Sequence, residues 1–186
     1  MLIVFTLLPF FWLAMKDYQK TRFLHFLNPQ TDPLGQGYNQ IQAKITVGSG
    51  KLYGWGLGRG SQSHLSFLPE RHTDFIFSSM AEEFGFIGSV LLVILYLLLF
   101  LRIIYIAGNC SDRQDVILAM GIFWSLFFQT VVNIGMNIGI FPITGVTLPL
   151  FSYGGSSLLS TMIGLGMLEN IFVKNKINKI ISIRHF

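Results

Sequence analysis

The sequence predicts an all-α, polytopic transmembrane helix bundle with a long extracytoplasmic loop containing short or re-entrant helices, and three observations carry that prediction. The chain is 52% hydrophobic. It is 12% charged, about half the charged fraction of a soluble domain. Its apolar residues gather in runs long enough to cross a bilayer core, which takes about 20 residues. Eighteen Phe and nineteen Gly fit the same class, since small residues let helices approach and aromatics fill gaps and anchor at the interface. The net charge of +4 points to anionic lipid headgroups or an anionic substrate. Nucleic acid is not indicated, because no basic run is interleaved with stacking aromatics. A single cysteine, Cys110, excludes an internal disulfide and a cysteine-based metal site.

Residues 1–15 are apolar and interrupted by Pro9, too short for a full span. Without a basic leader or small-residue cleavage site they do not resemble a signal peptide. They read as the second half of a membrane helix that begins upstream of Met1, and so as part of a truncated chain. Residues 16–79 are polar and glycine-rich. Asn28-Pro29, Asp32-Pro33 and Gly35-Gln36-Gly37 are turn signals, and Tyr38 to Val47 suits a short amphipathic or re-entrant helix. The glycine-rich run from Gly48 to Gly60 superficially matches a dinucleotide fingerprint, but no βαβ pattern surrounds it. A flexible or tightly turned loop is the better reading.

Membrane spans follow at 84–106 and 116–138. Gln129, Asn133 and Asn137 share one face of the second, where amides serve as interhelical glue more often than as substrate contacts. Residues 139–155 contain Pro142, Gly145 and Pro149 and are predicted to re-enter without helix, which is tolerated at membrane depth only against protein or a wet cavity. The glycines of Ser152 to Ser157 allow tight packing, with Ser156 or Ser157 as a helix cap. A last span at 156–173 precedes a basic tail, 174–186. Arg102, Arg113 and the tail place the tail inside by the positive-inside rule, and parity then places 16–79 outside. Lys16, Lys20 and Arg22 pull the other way, but long loops largely escape that rule.

In so uncharged a chain, the stretch Phe67-Leu68-Pro69-Glu70-Arg71-His72-Thr73-Asp74-Phe75-Ile76-Phe77, followed by Glu82-Glu83-Phe84-Gly85, stands out at a membrane boundary. Ionisable groups there need water, partners or a chemical role. Apolar neighbours Phe75, Ile76 and Phe77 disfavour the ionised form of Asp74 and Arg71 favours it, so Asp74 is a candidate general base. Asp74 with Glu82 or Glu83 could alternatively hold a hard divalent cation such as Mg or Mn. For Glu70 and Glu83 the ordinary alternative, salt bridges and helix-dipole contacts at the start of a helix near Ser78, is about as well supported as function. His25, His64, His72 and His185 lack paired-ligand spacing, which argues against zinc.

These residues resemble a known family. The acidic stretch is similar to the catalytic loop of the RodA/FtsW/SpoVE (SEDS) proteins, and Asn133 to Ser157, reading NIGMNIGIFPITGVTLPLFSYGGSS, resembles that family's second signature. Gly48 to Gln62 and Lys16 to Pro29 look closer to the RodA type than to the FtsW type. The resemblance covers the C-terminal half of a pattern of about ten membrane helices. It implies a peptidoglycan glycosyltransferase that polymerises lipid II during elongation and rod-shape maintenance, beside a class B penicillin-binding protein, in the bacterial inner membrane with its catalytic loop facing the periplasm or exterior.

By that resemblance Asp74 takes the proton from the acceptor 4-hydroxyl, which displaces the donor's lipid pyrophosphate with inversion. Arg71, Arg59, His72, Lys44 and Lys51 are candidate substrate contacts. Arg71 and Arg59 rank first for phosphate because of their planar fork, and Lys44 and Lys51 fit a solvated loop slightly better. A lipid II transporter, its path lined by Gln129, Asn133 and Asn137, and a non-catalytic scaffold of the elongation complex are the competing functions. The half-length pattern also implies that the fragment alone may lack activity.

Overall fold

Hydrophobic patterning, capping residues and a few glycines account for the observed helices. The structure is a computed structural model that describes residues 16–29, 32, 35–60, 62 and 72–184. The predicted partial span 1–15 lies outside the described residues. Within them the chain is helical without strands, in the order α1 (Asp17–Leu27), α2 (Gln36–Ser49), α3 (Ile76–Gly108), α4 (Arg113–Asn137) and α5 (Gly155–Arg184).

The sequence expectation of turns and polar loop missed α1. Its first turn is held where the Lys16 N–H donates to Gln19 Oε1 at 3.1 Å, satisfying an otherwise orphan donor. It stops before Asn28-Pro29, because the residue preceding proline is pushed out of the helical region. The expected short amphipathic helix is α2. Gly37, Gln40, Ala43 and Thr46 are buried on one side of it, a three-residue repeat that lays this stripe mainly against α3.

Three helices, Ile76–Gly108, Arg113–Asn137 and Gly155–Ile177, are long and apolar enough to cross a membrane. Each is longer than the sequence predicts. α3 starts eight residues before the expected Phe84, and α5 continues through most of the predicted tail. Leu92, Tyr96, Phe100, Ile103 and Ala107 of α3 meet Ala119, Phe123 and Leu126 of α4 and Leu168 of α5 in one buried core. Phe100 sits edge-on to Phe123 and Phe127, with centroids 5.7 and 5.5 Å away, the geometry aromatic quadrupoles favour. The outer face of α3, including Leu91, Leu95 and Leu98, is exposed, which suits lipid.

The link between α3 and α4 is fastened to α5. Asp112 caps α4 by accepting from the Gln114 N–H, Asn175 accepts from the Ser111 N–H, and Lys174 reaches Asp115 at 3.0 Å. Burial and the neighbouring Asp115 carboxylate hold the Cys110 thiol above its ordinary range, with Lys174 offsetting part of that effect.

α3 is broken at Gly85 (φ 69°, ψ −164°), a conformation essentially confined to glycine. The glycine-rich segment repairs the break. The Glu82 and Glu83 carbonyls, which an unbroken helix would give to Phe86 and Ile87, accept from the Trp55 and Gly56 N–H groups at 3.0 Å each. The Phe86 and Ile87 N–H groups donate instead to the Lys51 and Leu52 carbonyls, at 2.9 and 3.2 Å. A Cβ on Gly54 would collide with the Glu83 carbonyl oxygen, and one on Gly85 with the Gly54 nitrogen. Of the two readings offered by sequence, a flexible loop or a tight turn, the structure has the tight turn.

Candidate active site

The last residues before α3 and the segment after α4 are far apart in sequence, and buried polar side chains stitch them together. Three successive carbonyls are held. The His72 carbonyl accepts from the Tyr153 N–H at 2.9 Å, and the Thr73 carbonyl accepts from Ser152 Oγ at 2.7 Å. The Asp74 carbonyl accepts from Asn133 Nδ2 and Asn137 Nδ2, at 3.0 Å each. Asn133 and Asn137 are both fully buried, where an unmet amide would cost about 1–3 kcal/mol, so these bonds determine where the Asp74 backbone can sit.

The same side chains fix the other walls. Asn133 Nδ2 also donates to the Val146 carbonyl at 2.7 Å. Asn137 Oδ1 accepts from the Ser78 N–H at 3.2 Å and from the Ser78 hydroxyl, tying down an N–H in the first turn of α3. Ser152 Oγ accepts from the Leu148 N–H at 2.8 Å, Thr147 and Ser157 share a hydroxyl bond of 2.9 Å, and Tyr96 donates to the Pro149 carbonyl. Residues 139–154 are non-helical, as expected, apart from turns. Protein groups meet part of their backbone polarity, including the Val146 and Pro149 carbonyls and the Leu148 N–H, as such a segment beside a bilayer requires.

Asp74 is half-buried, with its carbonyl held by Asn133 and Asn137. Its Oδ2 lies 3.7 Å from where a Cβ on Gly145 (φ 73°) would stand. Phe75, buried next to it, packs on Ala43 of α2 and on Ile143. Next to Ala43 on α2, the Lys44 side chain covers Gly139 so closely that a Cβ there would collide with Cε. Lys44 thus borders the same re-entrant segment as Asp74, at its opposite end.

The remaining predicted contacts separate. His72 is exposed beside Asp74. Arg71 and Glu70 lie outside the described residues. Arg59 is exposed on the turn after the clamped loop, and Lys51 (φ 48°) lies within it. Lys51 also borders an apolar cavity of 470 Å³ that runs between α2, α3 and α4 past Val47, Phe86, Val90 and Ile134.

No three His, Cys, Asp or Glu side chains among the described residues are grouped to hold a metal by themselves, so a cation between Asp74 and Glu82 or Glu83 would need substrate phosphate to complete its shell. Glu82 is fully buried and accepts from the Gln62 N–H at 2.9 Å, while Glu83 accepts from the Gly58 N–H at 3.3 Å. Both hold the glycine-rich loop in place. Of the three amides predicted to share one face, Asn133 and Asn137 act as glue. Gln129 instead turns to Ser125 of its own helix at 3.2 Å. Ser156 and Ser157 were expected to cap α5, but the structure gives Ser157 to Thr147 and assigns the stitching to Ser152. Ser78 and Tyr96 were not singled out by sequence reasoning. Tyr96 had a signal, a lone hydroxyl in an aliphatic run that needs a partner when buried.

A multi-pass helical membrane protein with a carboxylate just before a long apolar helix, backed by a non-helical segment, is the class this fold and site define. The chain belongs to the FtsW/RodA/SpoVE family, whose model, described as Cell cycle protein, matches residues 1–177. It is 47% identical over 175 residues to the peptidoglycan glycosyltransferase MrdB of Escherichia coli (strain K12), covering 94% of this chain and 47% of that one. It is 48% identical over 158 residues to the peptidoglycan glycosyltransferase RodA of Treponema pallidum (strain Nichols), covering 85% of this chain and 36% of that one. Stage V sporulation protein E of Bacillus subtilis (strain 168) is 44% identical over 154 residues, covering 83% and 42%. A solved structure described as the structural coordination of polymerization and crosslinking by a peptidoglycan synthase complex superposes with a TM-score of 0.75 at 38% identity, covering 94% of this chain and 47% of that one. The chain spans about half the length of the curated relatives it matches.

Proposed function

We propose that the protein is a peptidoglycan glycosyltransferase that joins lipid II units into glycan strands, with Asp74 as general base, in the bacterial inner membrane with the Asp74 side facing outward. The observation that carries this reading is the threefold fastening of the 72–74 backbone, which gives the half-buried Asp74 a fixed support. Such support is what general-base catalysis requires, because the base must hold hydrogen-bond reach to the attacking hydroxyl. Asp74 takes the proton of the acceptor sugar's 4-hydroxyl. The oxygen then attacks the donor's anomeric carbon from the face opposite the lipid pyrophosphate, which departs with the bonding pair.

Charge on the departing pyrophosphate needs cations. His72 and Arg71, neighbours of Asp74 in sequence, and Lys44, whose side chain covers Gly139 of the segment that Asp74 also borders, are candidates. Arg59 and Lys51 lie on the clamped loop. The apolar cavity with Lys51 on its border suits a ligand that combines phosphate with a long hydrocarbon chain. No step is assigned to a metal ion; Asp74 with Glu82 or Glu83 would hold a divalent cation together with the substrate's own phosphates. The names of the relatives and of the matched synthase complex support a class B penicillin-binding protein as partner.

A transport reading draws on an open amide face, and Asn133 and Asn137 are fully buried, so the polymerase reading is favoured over the transporter. The test is Asp74→Asn in the complete protein with its partner and lipid II. Loss of a positioned base lowers glycan synthesis by about 10²–10⁴-fold while the protein still folds and binds its partner. Undiminished synthesis would rule out Asp74 as the base.

A further inference from the structure

We infer that the loop from Lys51 to Arg59 is an interfacial membrane anchor, seating Leu52, Tyr53, Trp55 and Leu57 in the outer headgroup region with Lys51 and Arg59 directed to lipid phosphates. The inference depends on the geometry of α3 and not on the enzymatic reading.

Depth comes first. Arg102 and Tyr105 mark one boundary of the apolar run of α3, with the Arg102 guanidinium 4.5 Å from the centre of the Phe172 ring. A hydrocarbon core of about 30 Å takes about 20 residues at the helical rise, and counting back from Arg102 reaches Glu82 and Glu83. That is the point where Trp55 and Gly56 donate to the two glutamate carbonyls and where Lys51 and Leu52 accept from Phe86 and Ile87. The loop is therefore pinned at the opposite boundary of the bilayer by four backbone hydrogen bonds.

Exposure comes second. Leu52 is 59% exposed, Tyr53 81%, Trp55 53% and Leu57 73%, an apolar tip that a solvated loop would not hold rigidly outward. Phe84, Phe86 and Ile87, on the stretch of α3 to which the loop is bonded, are also exposed. The tip thus continues the lipid-facing surface of the helix. Tyrosine and tryptophan favour the headgroup level, and flanking cations favour anionic lipid.

The experiment uses the complete protein in vesicles of phosphatidylethanolamine and phosphatidylglycerol. Cys110→Ser, with any further cysteine of the complete protein replaced likewise, removes the native thiols, and a fluorophore is attached at Tyr53→Cys or, as an independent site, Leu57→Cys. Leu95→Cys, in the middle of the apolar run, serves as a hydrocarbon-depth standard. Lipids carrying a quencher near the headgroup should quench the loop labels about twofold or more relative to lipids quenched at the chain end, with the reverse order at position 95. Replacing phosphatidylglycerol by phosphatidylcholine should shift the loop labels towards water. Loop labels quenched only by aqueous iodide, which would indicate a solvated loop, or by no reagent, which would indicate cover by protein, would overturn the proposal. Identical quenching in the two lipid compositions would overturn the role given to Lys51 and Arg59.

Discussion

Replacing Asn137 by alanine removes the amide that joins α4, α3 and the Asp74 backbone at once. Its nitrogen donates to the Asp74 carbonyl at 3.0 Å and to the Asn133 carbonyl at 2.8 Å, and its oxygen serves both the Ser78 N–H and the Ser78 hydroxyl. The Asp74 carbonyl keeps Asn133. Ser78 loses the amide oxygen for both of its donors, and the site is fully buried, so water does not readily replace it. A stranded buried donor costs about 1–3 kcal/mol, while single polar contacts in membrane bundles average about 0.6 and reach about 1.7 kcal/mol. A loss of about 2–3 kcal/mol follows for Asn137→Ala, measured by reversible SDS unfolding of the complete protein. Ser78→Ala removes the hydroxyl and leaves its N–H, so a double-mutant cycle with Asn137→Ala isolates the hydroxyl bond. Its coupling should be about 1 kcal/mol, above the roughly 0.3–0.5 kcal/mol scatter of independent sites. Additive single losses would refute the claim that these side chains fasten the start of α3, and with it the argument for a rigid Asp74.

Glycine replacements should divide by geometry. Gly85→Ala strains a φ of 69° and drives a Cβ into the loop backbone, so it should destabilise by about 1–3 kcal/mol or more and release protease cleavage between Lys51 and Arg59. Gly121→Ala, mid-helix in α4 with nothing within 4 Å of its Cβ, should stabilise by up to about 1 kcal/mol, read as a higher Tm. Cys110 reacts through its thiolate, and because burial and Asp115 raise its pKa, its alkylation should be slower at pH 8 than that of a free thiol and should catch up as pH rises. Asp115→Asn should move the alkylation pH profile down and Lys174→Ala should move it up, since the first removes a raising charge and the second a lowering one.

Membrane class, three of the spans and the separation into two signature regions were legible because they rest on composition and long apolar runs, which a bilayer reads much as a hydropathy sum does. Element ends were less legible. α3 begins at Ile76 and not Phe84 because the polar Ser78, Ser79, Glu82 and Glu83 interrupt the apolar count, although their backbone donors and acceptors are met by Asn137, by the loop or within the helix. The acidic stretch shows a similar division. Asp74 could be singled out by its apolar neighbours and its place at a boundary, but Glu82 and Glu83 looked like its equals. What separates them is the break at Gly85. A broken helix frees carbonyls and N–H groups in adjacent turns, the glycine-rich loop closes over them, and the two carboxylates are used to hold that loop. Neither the break nor its repair has a one-dimensional signal apart from unexplained glycines, since Gly54 and Gly85 matter to each other only across space. The glycines that resembled a nucleotide motif and the acids beside them are two halves of one backbone exchange, and Asp74 is set apart from Glu82 and Glu83 by the hold that Asn133 and Asn137 have on its carbonyl.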